Sequence, residues 1–304
     1  FTILDGDDSL ILVKNIVKEM GLNTDDYNPK AIRNKISGAK NELVYPEEYA
    51  RYVATDFEEI VYKVYQKYEE RLKNNNSVDF DDLLVLPIKL FSVHKDILKL
   101  YQERFKYILV DEYQDTNRVQ YILVNMLAAK YKNICVVGDN DQAIYSWRGS
   151  DYRNILNFEK DYPNLKSVML EENYRSTGNI LKAANEVIKN NRIRKDKNLW
   201  TRHEDGSKIR YHRALDEKDE ASYVVKEIKN LLLDGVQREN IAVLYRTNAQ
   251  SRNMEEAMLR ENIPYKVIGS FYFYNRKEIK DLICYLKLIY NKNDDISLVR
   301  VINV

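Results

Sequence analysis

The first ninety or so residues carry a helical pattern of apolar positions. Asp7 and Asp8 can cap a helix whose apolar face holds Leu12, Val13, Ile16, Val17 and Met20, and Gly21 stops it. Asn28-Pro29 opens a second helix and Pro46 a third. The third, roughly Pro46 to Lys73, places Tyr49, Val53, Ile60, Val64 and Tyr68 near helical spacing. Asn74-Asn75-Asn76 breaks it, and another helix is expected to start near Asp79.

From about Lys106 the pattern changes to short apolar runs between longer amphipathic stretches. Tyr107–Val110, Ile134–Val137, Ser167–Leu170, Ile241–Leu244 and Tyr265–Ile268 read as buried strands. Helices are expected near Asn117–Tyr131, Thr177–Asn190, Lys218–Leu232, Ala249–Glu261 and Arg276–Tyr290. Strand alternating with helix implies an α/β fold with parallel sheets covered by helices on both faces. No low-complexity tract or solenoid-length repeat interrupts the pattern.

Composition adds bounds rather than a function. With 304 residues and 44% hydrophobic content, the chain can bury two or more cores. Lys+Arg (48) balance Asp+Glu (47), so contact with a polyanion has to come from a local patch or from stacking. Cys135 and Cys284 each sit in an apolar run and are expected to be buried thiols in a reducing cytoplasm. No apolar stretch reaches the length of a membrane span. The chain opens on an apolar run without Met and stops within another, so it is expected to be a segment of a longer protein.

Three segments carry candidate chemistry. In Tyr107-Ile-Leu-Val-Asp111-Glu112-Tyr113-Gln114-Asp115-Thr116 an apolar strand ends in two adjacent acids. At such a strand end one carboxylate can hold a magnesium ion, partly through its water shell, and the other can activate an attacking water. An ordinary strand followed by an acidic helix cap has the same pattern. Val136-Val137-Gly138-Asp139-Asn140-Asp141-Gln142-Ala143-Ile144-Tyr145-Ser146-Trp147-Arg148-Gly149 again ends a strand, here in Gly-Asp and a polar loop. The Gln142 amide can sense a terminal phosphate or its attacking water. Tyr145 and Trp147, with Arg148 beside them, offer faces on which bases can stack, worth roughly 1–3 kcal/mol per base. Two such aromatics would more often be core residues. In Leu170-Glu171-Glu172-Asn173-Tyr174-Arg175-Ser176-Thr177 a strand is expected to hand over to a helix capped by Ser176 or Thr177. Arg175 can neutralise phosphate charge and Tyr174 can stack on a nucleobase, unless Arg175 merely pairs with Glu171 or Glu172.

Together these segments resemble the motifs of the PcrA/UvrD/Rep family of superfamily-one DNA translocases, most closely its PcrA branch. The resemblance extends to Asp79-Phe-Asp-Asp-Leu83, Leu244-Tyr-Arg-Thr-Asn-Ala-Gln-Ser-Arg252 and Phe273-Tyr-Asn-Arg-Lys-Glu-Ile-Lys-Asp281. It implies an ATP-dependent helicase that moves 3′ to 5′ on single-stranded DNA and unwinds duplex, built on two RecA-like P-loop domains with ATP between them. It implies Asp111 as magnesium ligand, with Glu112 beside the metal as general base. Gln142 then contacts the terminal phosphate and the water, Arg175 is the arginine finger, and Tyr174 packs on adenine. Tyr145, Trp147 and Arg148 fall on the DNA side. The roles of Tyr245, Arg246 and Arg276 stay open. The family layout further implies a map. Residues 1–91 form a helical insertion of the first motor domain and 92–168 that domain's second part. Residues 169–275 open the second motor domain and 276–304 begin its helical insertion. Repair or replication proteins are implied partners, the cytoplasm the compartment, and a monomer the expected state.

The chain departs from the family pattern at Ser146, Ala143, Glu172 and the Gly269-Ser270-Phe271-Tyr272 turn. It also contains no Gly-x-x-x-x-Gly-Lys-Ser/Thr loop, the element that cradles phosphates, so these residues alone are expected to hydrolyse ATP poorly or not at all. Two other readings share part of the pattern: the helicase portion of a recombination helicase–nuclease, and a motor-derived DNA-binding scaffold without catalysis. Intact Glu112, Gln142 and Arg175 argue against the scaffold.

Overall fold

The computed structural model describes residues 1–146, 149–151, 153–191, 197–268 and 276–304. It divides the chain into two compact units, residues 1–171 with 184–199 and 277–304, and residues 172–183 with 200–276.

The first unit begins with β1 (Thr2–Ile3) and α1 (Gly6–Glu19). Asp5 caps α1, two residues earlier than the expected Asp7, because its carboxylate accepts from the Asp7 and Asp8 amides at 2.9 and 2.8 Å. Gly21 ends the turn at φ +70°. Helix α2 (Pro29–Asn41) starts as expected, with Asn28 as cap and Pro29 in the first turn.

The long third helix is in fact two. A short α3 (Pro46–Tyr49) runs into a 3-10 turn, and α4 (Asp56–Asn74) begins afresh. The reason is a side-chain cap: Thr55 accepts from the Glu58 amide at 3.2 Å, and the Glu58 carboxylate accepts from the Ala54 amide, one residue before the cap, at 3.0 Å. The apolar faces of α1, α2 and α4 then close one core, with Val13, Ile16, Val17, Ile32, Val61, Val64 and Tyr65 fully buried. Strand β2 (Ser77–Val78) pairs in parallel with β1 beside it.

Helix α5 (Asp82–Val93) starts later than Asp79, because Asp79 and Asp82 exchange backbone-to-carboxylate hydrogen bonds and form a turn. Beneath that turn Lys40 is 2% exposed. Its ammonium lies 2.7 Å from Glu69, 2.8 Å from Asp79 and 2.7 Å from Asp82. The Asp79–Leu83 segment thus ties α2, α4 and α5 through one buried cation. Asn41, next to Lys40, donates to Asp81 at 3.0 Å and accepts from Asn117 at 2.7 Å.

After α6 (Lys95–Arg104), β3 (Ile108–Val110) and β4 (Ile134–Val136) pair in parallel, Leu109 opposite Cys135. Helix α7 (Arg118–Ala128) makes the crossover and packs Val119 against Val85 and Ile88 of α5. Leu109 and Cys135 point to the same open side of this sheet, so the expected burial of Cys135 fails, as does cover on both faces; Cys284 is buried. Helix α8 (Arg153–Asp161) follows, then α9 (Gly178–Ile188). At the end of the chain α12 (Lys277–Tyr290) and α13 (Asp295–Ile302) join the first unit. Lys280 pairs with Asp5 and Asp7, and Asn291 donates to Thr2, Asn75 and Asn76.

The second unit is held by α10 (Glu217–Leu233) and α11 (Ser251–Arg260). Ala221, Val225 and Ile228 meet Ala257 and Met258 in its core. Ile241–Leu244 lies beside them as an extended segment. Ile241 and Val243 pack on the helices, while Leu244 is 94% exposed. No ladder is present there, nor at Ser167–Leu170 or Tyr265–Ile268, so these three expected strands are corrected to segments without regular secondary structure. A strand is defined by a neighbour's backbone. Among the described residues none pairs with these segments in a ladder, and Leu170 and Ile268 stand 75% and 85% exposed.

No helix among the described residues is long and apolar enough to cross a membrane.

Candidate active site

Asp111 and Glu112 follow β3 directly, and both are exposed. Glu112 adopts a left-handed conformation, φ 49° and ψ 42°, which a non-glycine residue rarely takes and which costs of order 1–3 kcal/mol. This is the sharp turn that lets two consecutive acids share one end of the sheet. The Asp111 carboxylate accepts from the Glu112 amide at 2.9 Å and so braces the turn.

Tyr113–Asp115 forms a 3-10 turn whose ring and amide point inward. Tyr113 is fully buried, edge-on to Phe158 with ring centroids 5.5 Å apart. Its amide donates to the Val137 carbonyl at 2.9 Å, which carries the β3–β4 pairing past the last ladder residue. Gln114, also buried, donates from Nε2 to the Glu112 carboxylate at 2.8 Å and accepts at Oε1 from the Asp139 amide at 2.9 Å. Gly138 makes that approach possible, since a Cβ there would lie 2.8 Å from Gln114 Oε1 and 3.3 Å from the Tyr113 amide nitrogen. Thr116 accepts from Asn154 and Asp151, anchoring α8 under the turn. Burial and the nearby Glu112 charge push the Asp115 carboxyl upward.

After β4, Asn140–Gln142 forms a second 3-10 turn. Asp139 caps it, accepting from the Asp141 amide at 2.9 Å and from Gln142 Nε2 at 2.8 Å. Lys197 pairs with Asp139, and its ammonium lies 3.4 Å from Asp141. Burial works to raise the Asp139 carboxyl, but the Lys197 and Gln142 hydrogen bonds prevail and hold it below the usual carboxylate range. The structure therefore brings Asp111, Glu112 and Gln142 to adjacent strand ends. Tyr145, partly exposed, follows on the same loop. Trp147 and Arg148 lie outside the described residues, as do the Gly269–Tyr272 turn and the first residues of the Phe273–Asp281 segment.

In the second unit, Asn173 accepts from the Arg175 and Ser176 amides at 3.0 and 2.8 Å, a local turn that precedes α9. Its own amide donates to the Trp200 carbonyl at 2.7 Å. Tyr174 is exposed, and its hydroxyl donates to Glu172 at 2.9 Å, a bond that raises the Tyr174 pKa. Glu172 pairs with Arg202 at 2.9 Å, not with Arg175. Among the described residues no carboxylate pairs with the exposed Arg175 guanidinium, so the surface ion pair weighed above does not form.

Gln114, Gly138 and Asp139 were within the quoted segments but had no role in the sequence reading. The signal for them was a glutamine between two acids, an amide in a stretch that is otherwise strand, turn and carboxylate. Lys197 lay outside every motif, and its pairing with Asp139 had no sequence signal.

A set of oxygen donors limited to one or two carboxylates at a strand end fits magnesium, which completes its shell with water and phosphate oxygens. Among the described residues no group of three or more His, Cys, Asp or Glu side chains forms a protein-only metal cage.

The family profile of the UvrD/REP helicase N-terminal domain matches residues 1–163, and that of the UvrD-like helicase C-terminal domain matches residues 168–304. The ATP-dependent DNA helicase PcrA of Bacillus subtilis (strain 168) is 51% identical over all of this chain, which covers 41% of that relative. A Staphylococcus epidermidis protein of the same description is 52% identical and one from Staphylococcus aureus 50%, each again over all of this chain and 42% of the relative. The chain thus spans about two fifths of the length of these relatives.

Proposed function

The chain belongs to the UvrD/REP helicase family, and on that premise we propose that it is the central part of an ATP-dependent DNA helicase that tracks 3′ to 5′ on single-stranded DNA. The observation that carries this reading is the pair of parallel strand ends. One ends in Asp111-Glu112, the other in the Gln142 loop, and Gln114 joins them. In open α/β sheets ligands bind at the carboxyl ends of strands, where parallel neighbours diverge.

In this reading Glu112 is the general base that accepts the proton of the attacking water. Asp111 holds magnesium, partly through water, with Glu112 near it. Magnesium supplies charge neutralisation on the phosphates when bound. Gln142 orients the water and the terminal phosphate through its amide, which in this structure donates to Asp139. Arg175 supplies a guanidinium to the phosphoryl group being transferred, and Tyr174 offers its exposed ring to the adenine. Tyr145, Trp147 and Arg148 bind single-stranded DNA by stacking and charge. Phosphate sensing and base stacking then share one loop, which couples the nucleotide to the track.

The motor domains are of the RecA-like type. Residues 1–91 are the helical insertion of the first, 92–168 its second part, 169–275 the opening of the second and 276–304 the start of its insertion. The reading requires a phosphate-cradling Gly-x-x-x-x-Gly-Lys-Ser/Thr loop, which these residues do not contain. Single-stranded and duplex DNA are the partners, with repair or replication proteins beside them, and the cytoplasm is the compartment.

The test is ATP hydrolysis by the full-length protein with and without single-stranded DNA, together with strand separation on duplexes carrying 3′ or 5′ tails. DNA-stimulated hydrolysis and unwinding from the 3′ tail are expected. Hydrolysis indifferent to DNA, or unwinding only from the 5′ tail, contradicts the reading.

A further inference from the structure

We propose that Gln114 is a positioning residue that ties the Glu112 carboxylate to the loop carrying Gln142 and the stacking aromatics, so that the base is set only when that loop is. The inference rests on the helicase reading and goes beyond it, because it assigns the link between DNA and hydrolysis to a named side chain.

The two ends of the Gln114 amide are chemically distinct. The Asp139 backbone N–H can only donate, so it fixes Oε1 as its acceptor at 2.9 Å. Nε2 is therefore the end turned to Glu112, at 2.8 Å. Gln114 is 1% exposed, so water cannot replace either bond cheaply. Donation from Nε2 holds the Glu112 carboxylate in one rotamer. The acceptor end reports on Asp139, whose carboxylate in turn receives Gln142 Nε2 at 2.8 Å. Glu112, Gln114, Asp139 and Gln142 thus form one chain of hydrogen bonds from base to sensor, three residues before Tyr145.

The backbone is shaped for this link. The missing Cβ of Gly138 leaves the space that Oε1 occupies, and the Tyr113 amide to Val137 carbonyl bond keeps the two strand ends in register. A displacement of the 139–145 loop on binding single-stranded DNA moves the Asp139 amide, and through Gln114 the base moves with it.

Two variants of the full-length protein separate this role from packing. Gln114→Met keeps the volume but loses both bonds. Gln114→Glu keeps the acceptor for Asp139 and sets a second carboxylate against Glu112. ATP hydrolysis is measured with and without a poly-dT oligonucleotide, as kcat and KM for ATP. Gln114→Met is expected to lower DNA-stimulated kcat by up to about 100-fold, the loss that a displacement of roughly 1 Å can cause, and basal kcat by less, so that the stimulation ratio falls while KM for ATP holds. Gln114→Glu keeps the Asp139 bond but turns an acceptor toward Glu112, so it is expected to lose at least as much stimulated kcat as Gln114→Met, again with KM for ATP held. Equal losses of basal and stimulated turnover show packing alone and overturn the proposal, as do wild-type values in both variants. Glu112→Gln is run beside them. If it turns over ATP like the wild type, the base assignment fails and the proposal falls with it; if it is inactive, the Gln114 variants decide alone.

Discussion

Replacing Lys40 by Met should be among the most damaging single changes in the first unit. The ammonium is surrounded by Glu69, Asp79 and Asp82 at 2.7 to 2.8 Å, and the Tyr68 hydroxyl donates to Asp79 at 3.0 Å. One cation serves three carboxylates, and its removal leaves Asp79 and Asp82 buried, and Glu69 partly buried, with no counter-charge. Breaking a buried ion pair in this way costs about 3–5 kcal/mol. With a urea dependence of about 2–3 kcal/mol per molar, the unfolding midpoint should fall by roughly 1–2 M. Lys63→Met gives the contrast. Its pair with Glu59 is exposed and one helical turn away, worth about 0.3–0.5 kcal/mol and a shift of about 0.2 M. The pH response adds a second check. Burial raises the Asp82 carboxyl despite the pull of Lys40. A carboxyl raised on folding stabilises below its unfolded pKa, and that stability is lost as pH rises through the folded value. Without Lys40 the Asp82 carboxyl should rise further, so the deficit of the variant should be largest near pH 8 and shrink toward pH 5. Urea titrations followed by far-UV circular dichroism across that range measure both effects. A midpoint within about 0.3 M of the wild type at pH 7, or a deficit that does not vary with pH, would refute the view that this cluster holds α2, α4 and α5 together.

Arg175→Ala in the full-length protein should lower DNA-stimulated turnover by about 10³-fold or more while ATP still binds, as expected for a guanidinium used in phosphoryl transfer; a change under tenfold in steady-state turnover would return Arg175 to the surface. Trp147→Ala and Tyr145→Ala should each weaken binding of a fluorescent single strand by about 1–3 kcal/mol, some five- to 150-fold, with smaller effects on ATP affinity. Unchanged titration curves would return Trp147 to the core and leave Tyr145 without a part in DNA binding.

Much of the helical half was legible because amphipathic helices announce themselves and their caps. Asn28-Pro29 and the apolar stripes of α1 and α4 were read directly. The break at Thr55 was missed because the cap lies inside a continuous apolar pattern. The extended segments were harder for another reason. Apolar alternation shows that Ile241 and Val243 turn toward a core, but not that another chain segment offers its amides alongside. Cys135 illustrates the same gap, since an apolar run says nothing about which face of a strand is covered. At the candidate site, the acids and Gln142 could be picked out by their chemistry and resemblance. Gln114 could not, because its part depends on where β4 ends in space, and Lys40 could not, because a lysine in an amphipathic helix is usually solvated.

The central claim is that Glu112 is the base of a hydrolytic site at the end of β3. The direct measurement compares wild-type and Glu112→Gln full-length protein, following nucleotide binding by fluorescence and phosphate release with single-stranded DNA present. The account predicts ATP binding within a few-fold of wild type and turnover reduced by about 10²–10⁴-fold. Phosphate release at the wild-type rate would contradict it.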